Sequence, residues 1–296
     1  MKRPFFSVII PTYNRSDILA NTVESLLMQS FLDWECVIVD DGSTDDTEQR
    51  FSTGLDPRFR YFKKENEERN IARNFGATKA SSEWLIFLDS DDRFSSDHLQ
   101  KLYELIQEKP DDRFIINPYV KIDEEGNELS RANMRFKGSL MNALAFQNFI
   151  PPSAVCIQKE LFDPIQFIPS RRMLIGEDLL LWMQILARSK FLISGHIGVY
   201  VLVHEGQSMT LPPVEVILES YDAFEKHIRS DQEFMAEYAD LLTEIRSSYF
   251  SLAALSAVLK KDKTKALQLL RESLKAGLKE LFRKRNLAVI KRIVFN

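Results

Sequence analysis

Two acidic clusters each close a short apolar run: Cys36-Val37-Ile38-Val39 ends in Asp40-Asp41, and Trp84-Leu85-Ile86-Phe87-Leu88 ends in Asp89-Ser90-Asp91-Asp92. Apolar runs of about four to eight residues that stop abruptly in polar residues read as buried strands of a parallel sheet. Open α/β sheets take their ligands beyond the carboxyl ends of the strands. The aspartates are therefore expected along one rim of one sheet, facing one site. A third acidic pair, Glu177-Asp178, lies further along the chain. Carboxylates crowded at a common site need a cation or a polyhydroxyl ligand to offset their repulsion.

The rest of the chain supports that expectation. Its 296 residues suit one large domain, or one domain with an appendage, and 45% hydrophobic residues suffice for a sizeable core. A net charge of -4 gives no general attraction to nucleic acid. Cys36 and Cys156 each lie in an apolar stretch and read as buried free thiols of a reducing compartment. The N-terminus enters a strand-like run at once, and Pro11 and Asn14 interrupt any signal-peptide core. No stretch approaches the roughly 18 apolar residues of a membrane span, so a cytoplasmic location is expected.

Strand and helix patterns alternate through the first hundred residues. Strands are expected at Ser7–Pro11, Trp34–Val39, Phe59–Phe62 and Glu83–Leu88. Helices are expected at Ser16–Met28, near Thr44–Phe51, at Arg69–Ala80 and from Ser95 or Ser96 to Glu108. This is the rhythm of a three-layer α/β sandwich with a mostly parallel central sheet. Further on, Phe114–Ile122 reads as one strand, Ser139–Asn148 as a helix and Ala154–Gln158 as a strand. A helix follows from Gly176-Glu177-Asp178 to about Ser189, and Phe191–Val203 is strand-like with a break near Gly195. After Leu211-Pro212-Pro213 almost everything has helical period, so the chain divides into residues 1–211 and a helical C-terminal region, 212–296.

Five segments together resemble the family 2 glycosyltransferases. They are Ser7-Val8-Ile9-Ile10-Pro11-Thr12-Tyr13-Asn14-Arg15; Val39-Asp40-Asp41-Gly42-Ser43-Thr44-Asp45-Asp46-Thr47; Ala72-Arg73-Asn74 with Gly76; Phe87-Leu88-Asp89-Ser90-Asp91-Asp92; and Gly176-Glu177-Asp178. Each is weak alone, but their order and spacing over roughly residues 5–210 are specific. The resemblance implies a GT-A fold, an inverting reaction, a nucleotide diphosphate sugar (UDP-sugar) as donor, and Mn²⁺ or Mg²⁺ as cofactor. It also implies a glycan or lipid-linked acceptor, as in cell-surface polysaccharide or glycolipid synthesis.

Residue by residue, two adjacent acids such as Asp40 and Asp41 can accept from a uracil N–H and from ribose hydroxyls, although alone they would be ordinary turn chemistry. The resemblance assigns them to the nucleotide, with Pro11, Tyr13 and Asn14 beside them. Arg73 is placed to pair with the diphosphate or with nearby acids. Glu67-Glu68-Arg69 stands where relatives often carry a glycine-rich stretch, which leaves donor contacts from that segment open. Asp89-Ser90-Asp91-Asp92 matches the family's Asp-x-Asp element. Strand alternation puts Asp89 and Asp91 on one side, and hard oxygen donors suit Mn²⁺ or Mg²⁺. Ser90 goes with the donor contacts. An EF-hand is excluded, because Arg93 falls where a ligand is required, and counting from Asp41 puts Asp46 at the required glycine. The resemblance makes Asp178 the base that deprotonates the acceptor, with Glu177 orienting it; acids at a helix start are otherwise caps. Trp182 reads as core rather than a sugar platform. A lone histidine after a strand is otherwise structural, but His204 with Ser208 resembles the family's closing His-x-x-x-Ser pattern, which makes it the candidate that completes the metal shell or contacts the diphosphate.

Two rival functions are weaker. A sugar nucleotidyltransferase would carry a glycine-rich loop where this chain has Pro11-Thr12-Tyr13-Asn14. A catalytically inactive nucleotide-sugar-binding scaffold would not need all three acidic clusters. The last 37 residues hold twelve lysines and arginines against three acids, a net charge of +9. With Leu274, Leu278, Leu281 and Phe282 at helical spacing, and apolar residues from Leu287 to Phe295, they read as a basic amphipathic helix. Such a helix can touch the inner face of a membrane or pack on the domain.

Overall fold

The computed structural model describes residues 3–295 except 55, 137, 170–171 and 205–210. Ser208 and the side chains of Leu278, Lys279 and Phe295 lie outside the described residues. In chain order the elements begin β1 (Phe6–Thr12), α1 (Ser16–Leu27), β2 (Trp34–Asp40), α2 (Thr47–Phe51), β3 (Phe59–Lys63), α3 (Arg69–Lys79), β4 (Trp84–Phe87) and β5 (Arg93–Phe94). Then come α4 (His98–Glu108), β6 (Phe114–Ile116), β7 (Tyr119–Ile122), β8 (Glu128–Arg131), α5 (Leu140–Phe146), β9 (Val155–Gln158) and α6 (Lys159–Phe162). The last are α7 (Glu177–Leu186), β10 (Leu192–Ile193), β11 (Val199–Leu202), α8 (Val214–Ser230), α9 (Gln232–Tyr238), α10 (Leu242–Leu259), α11 (Lys263–Ser273) and α12 (Lys284–Phe295). The chain forms two compact units. One comprises Met1–Arg135, Ile150–Pro169 and Arg188–Gly206; the other comprises Phe136–Phe149, Ser170–Ala187 and Gln207–Asn296.

The first unit is built on a seven-stranded sheet ordered β10-β6-β9-β4-β1-β2-β3. β1 pairs in parallel with β2 and β4, and β2 with β3, while β9 runs antiparallel between β4 and β6. Every residue of β1 and β2 is buried, as befits strands covered on both faces. Each fully buried valine, isoleucine or phenylalanine there contributes on the order of 1.5–3 kcal/mol. Close approach of α3 to the sheet depends on Gly76, where an added Cβ would lie 2.4 Å from the Ile9 side chain. Cys36 and Cys156 are buried and unbonded.

A second sheet, ordered β5-β11-β7-β8, corrects the expectation of one strand at Phe114–Ile122. The chain leaves the large sheet after Ile116 and joins the small one at Tyr119. Asn117 N–H makes the last bond of the ladder to the β9 side, to the Ala154 carbonyl at 2.7 Å, and Pro118 has no N–H to carry that ladder further. The expected break near Gly195 is the same switch made a second time: β10 pairs with β6 and β11 with β7, both parallel.

The second unit is helical. Ser139 caps α5 by accepting from Asn142 N–H. Asp231 caps α9 through Phe234 N–H and also accepts from the Gln184 amide on α7 at 2.8 Å. Trp182 is fully buried, as expected of a core residue. The tail, however, is not one amphipathic helix from Leu274. α11 ends at Ser273, Gly277 takes φ +123°, a 3-10 turn covers Leu278–Phe282, and α12 starts only at Lys284. A buried polar cluster holds this bend: the Glu280 carboxylate accepts from Ser247 Oγ, and Asn286 bonds the Glu280 carbonyl and Ser251 Oγ. Two of the tail's cations serve it as well. Arg283 pairs with Glu280 at 2.6 Å over the Phe146 ring, and Arg285 donates to the Ser248 carbonyl at 3.0 Å. Among the described residues no helix is long and apolar enough to cross a membrane.

Candidate active site

Because β1 lies between β2 and β4, the carboxyl ends of three strands meet side by side. Thr12 stands opposite Asp40, Asp41 N–H donates to the Thr12 carbonyl at 2.8 Å, and Leu88 N–H donates to the Ile9 carbonyl at 2.9 Å. The ladder thus runs up to both acidic clusters and brings them to either side of the β1 end. Pro11 is buried in β1 opposite Val39, while Tyr13 beyond it is 46% exposed. Asn14 takes the left-handed φ of +51°. Its Oδ1 accepts from Thr44 N–H at 2.7 Å and its own N–H donates to Ser43 Oγ, so it ties the loop after β1 to the loop after β2.

Each acid of the rim has a protein partner. Asp40 is fully buried and accepts from Ser43 N–H at 2.7 Å and from the Tyr61 hydroxyl. Burial, with Asp40 next to it, pushes the Tyr61 phenol well above its ordinary range. Asp41 pairs with Lys64 at 2.8 Å and accepts from Glu67 and Glu68 N–H. Asp89 pairs with Arg73 at 2.6 Å, and the buried guanidinium also donates to Asn70 and lies over the Phe167 ring. Ser90 is buried, its carbonyl accepting from Thr22 Oγ. Asp91 Oδ2 receives both Arg15 at 2.6 Å and His204 Nε2 at 3.1 Å. Asp92 is buried against Ser153 Oγ and Leu202 N–H; burial first, then Asp89 and Asp91, holds its carboxyl well above the usual range.

The first unit therefore collects Pro11, Tyr13, Asn14, Asp40, Asp41, Arg73, Asp89, Ser90, Asp91 and His204 at one sheet rim. Glu177 and Asp178 belong to the helical unit, at the first turn of α7. Gly176 precedes them at φ +82°, Glu177 is buried, and Asp178 Oδ1 accepts from Leu179 N–H at 2.8 Å. The buried Tyr249 hydroxyl of α10 lies against Gly176 without a hydrogen-bond partner among the described residues. Burial first, then Asp178 and Glu177, raises its pKa.

Sequence reasoning did not single out Arg15, Tyr61, Lys64 or Ser153. Arg15 was visible as the residue closing the Pro-Thr-Tyr-Asn segment, and Lys64 as the cation just past β3. Ser153 left no signal, because only the antiparallel insertion of β9 beside β4 brings it to the acids.

Whether the rim suits a divalent cation can be tested on its donors. Among the described residues no three His, Cys, Asp or Glu side chains are grouped to hold a metal. Asp91 and His204 do converge, whereas Asp89 is directed to Arg73. The carboxylate suits Mn²⁺ or Mg²⁺ and the imidazole beside it favours the transition ion Mn²⁺, when the cation draws its other ligands from substrate phosphates and water.

Comparison with known proteins fits this geometry. Residues 7–162 match the model of glycosyl transferase family 2. An uncharacterized glycosyltransferase of Rickettsia bellii is 35% identical over 187 residues, 62% of this chain and 26% of that protein. The chain thus spans about a quarter of that relative's length. The amylovoran biosynthesis glycosyltransferase AmsB of Erwinia amylovora is 31% identical over 182 residues, 56% of this chain and 60% of that one. The crystal structure of S. aureus TarS 1-349 shares the fold with a TM-score of 0.67 at 20% identity, over 98% of this chain and 88% of that one. TarS 1-349 in complex with UDP-GlcNAc gives 0.58 at 18% identity, over 92% and 91%. The GT-A-like fold expected from the resemblance is the one shared with TarS.

Proposed function

The chain belongs to glycosyl transferase family 2, and from that premise we propose that it moves one sugar from a UDP-sugar to an acceptor hydroxyl, with inversion at the anomeric carbon. The observation that carries this reading is the meeting of Asp40-Asp41 and Asp89-Ser90-Asp91 on either side of the β1 end. The acceptor oxygen attacks the anomeric carbon opposite the leaving UDP; the new C–O bond forms as the bond to the β-phosphate oxygen breaks. Asp178 takes the acceptor proton, and buried Glu177 orients it. Asp40 and Asp41 serve the uracil and ribose, with the exposed Tyr13 ring beside them. Arg73 faces the diphosphate. A divalent cation held by Asp91 and His204, with Asp89 adjacent, would neutralise the charge gathering on the leaving diphosphate. UDP-GlcNAc is the first donor to test, because the fold neighbour TarS binds it. AmsB, by its name an enzyme of amylovoran biosynthesis, supports a polysaccharide or lipid-linked acceptor.

A set of UDP-sugars, assayed for transfer or hydrolysis with Mn²⁺ present, tests the reading. Asp178→Asn should lose about 10²–10⁴-fold in rate, because the amide accepts no proton, while UDP-sugar affinity stays near wild type. Unchanged turnover in that variant would sink the base assignment; loss through Glu177→Gln alone would move it by one residue.

Membrane contact, in this reading, falls to the outward face of α12 rather than to the whole basic tail. Lys284, Leu287, Lys291 and Val294 are exposed along one side of it, while Asn286 and Val289 are buried on the other. A face that mixes lysines with exposed apolar side chains suits an anionic leaflet bearing a lipid-linked acceptor.

A further inference from the structure

Asp91 offers one carboxylate oxygen to two partners at once, Arg15 at 2.6 Å and His204 at 3.1 Å. A cation bound through Asp91 and the His204 imidazole would bring a second positive charge, beside Arg15, to the same carboxylate. Like charges at such range cost several kcal/mol in a partly buried site, so Arg15 cannot remain where it is. Its backbone is held, since the Arg15 carbonyl accepts from Leu19 N–H at the start of α1. Its side chain is not: 26% of it is exposed, against 10% for Asp91. The guanidinium must turn, and the diphosphate carried by the cation is an anion within the same rim that it can then meet. A planar fork of N–H donors suits phosphate oxygens as well as it suits a carboxylate.

We propose that Arg15 is a diphosphate-binding residue that rests on Asp91 until a cation and nucleotide displace it. This inference rests on the reading of Asp91 as the carboxylate that meets the cation. Arg15 then has two roles in turn: it neutralises a carboxylate that would otherwise stand uncompensated at the rim, and it closes on the donor's phosphates. The transfer from one anion to the other exchanges one charge-assisted contact for another, so the metal need not overcome the full strength of the ion pair.

Calorimetry on the full chain tests this with three probes: Mn²⁺ alone, UDP with Mn²⁺, and uridine. In Arg15→Gln, Mn²⁺ alone should bind at least as tightly as in wild type, because Asp91 has lost a competitor. UDP with Mn²⁺ should bind about tenfold or more weakly, the loss of a hydrogen bond to a charged group. Uridine affinity should not change, which also reports an intact fold. Arg15→Lys, which keeps the charge without the fork, should fall between the two. Unchanged UDP affinity in Arg15→Gln would overturn the proposal. So would a joint loss of Mn²⁺ and UDP binding, which would make Arg15 a mere support for Asp91. A wild-type protein that binds uridine but gains nothing from the diphosphate and Mn²⁺ would overturn the donor reading along with it.

Discussion

Gly176→Ala is the substitution whose cost can be worked most directly from the structure. Gly176 stands at φ +82° immediately before Glu177 and Asp178. Left-handed backbone costs a residue with a Cβ about 1–2 kcal/mol. The added carbon would also lie 2.0 Å from the Tyr249 hydroxyl. That oxygen has little room to retreat, because the Tyr249 ring is held by Tyr221 at 5.4 Å and Phe224 at 5.7 Å between centroids. Forcing an extra carbon into such packing costs about 1–3 kcal/mol more. The sum, about 2–5 kcal/mol, should lower the melting temperature by about 5–15 °C.

Tyr249→Phe separates the two contributions. It removes the clashing oxygen and leaves the ring carbon 3.2 Å from the new Cβ, a tight contact that small adjustments relieve. The variant alone should be neutral or slightly more stable, since the deleted hydroxyl is buried without a hydrogen-bond partner among the described residues. In the Tyr249→Phe background Gly176→Ala should cost only its backbone share, about 1–2 kcal/mol. Thermal melts of wild type, both single variants and the double variant give the coupling directly. An equal cost for Gly176→Ala in both backgrounds would refute the steric account.

Two further outcomes follow from buried and surface charges. His98 is fully buried with neither ring nitrogen hydrogen-bonded among the described residues, and burial first, then His196, pushes its pKa from 6.5 down to about 3. The unfolded chain therefore takes a proton that the folded protein refuses. Stability is complete above pH 6.5 and falls as pH drops towards 3, by about 2 kcal/mol at pH 5. His98→Leu should flatten that part of the urea-midpoint profile, and an unaltered slope would reject the assignment. At the surface, Lys284→Glu with Lys291→Glu should release the protein from phosphatidylserine vesicles at low salt, each lysine contributing about 1 kcal/mol. If wild type stays in the supernatant, or both proteins bind alike, α12 makes no membrane contact.

How much of this was legible in the chain depended on distance along it. β1, β2 and β4 were readable because a buried parallel strand needs an unbroken apolar run, and each run stops where the rim begins. The switch between sheets at Asn117-Pro118 was not, because Phe114–Ile122 keeps its apolar character through a change of partners; only Pro118 marked it. β8 escaped because every residue of Glu128–Arg131 is exposed and the strand has no buried apolar face to show. The tail misled for the opposite reason. Its helical period is real, but Gly277 and the Glu280–Ser247–Asn286 cluster bend it, and that cluster joins residues about 30 positions apart.

The site divides the same way. The carboxylates were legible and their partners were not, since Arg15 and Asp91 lie 76 positions apart and His204 and Asp91 lie 113. Those partners change what the acids mean. A rim of bare carboxylates would repel itself and bind any cation strongly. Here Lys64 meets Asp41, Arg73 meets Asp89, and Arg15 with His204 meets Asp91. Ligand binding at such a rim is an exchange of partners between charges already held in place. Affinity then depends on the difference between two ion pairs rather than on the whole of one, a smaller quantity that single cations such as Arg15 can tune.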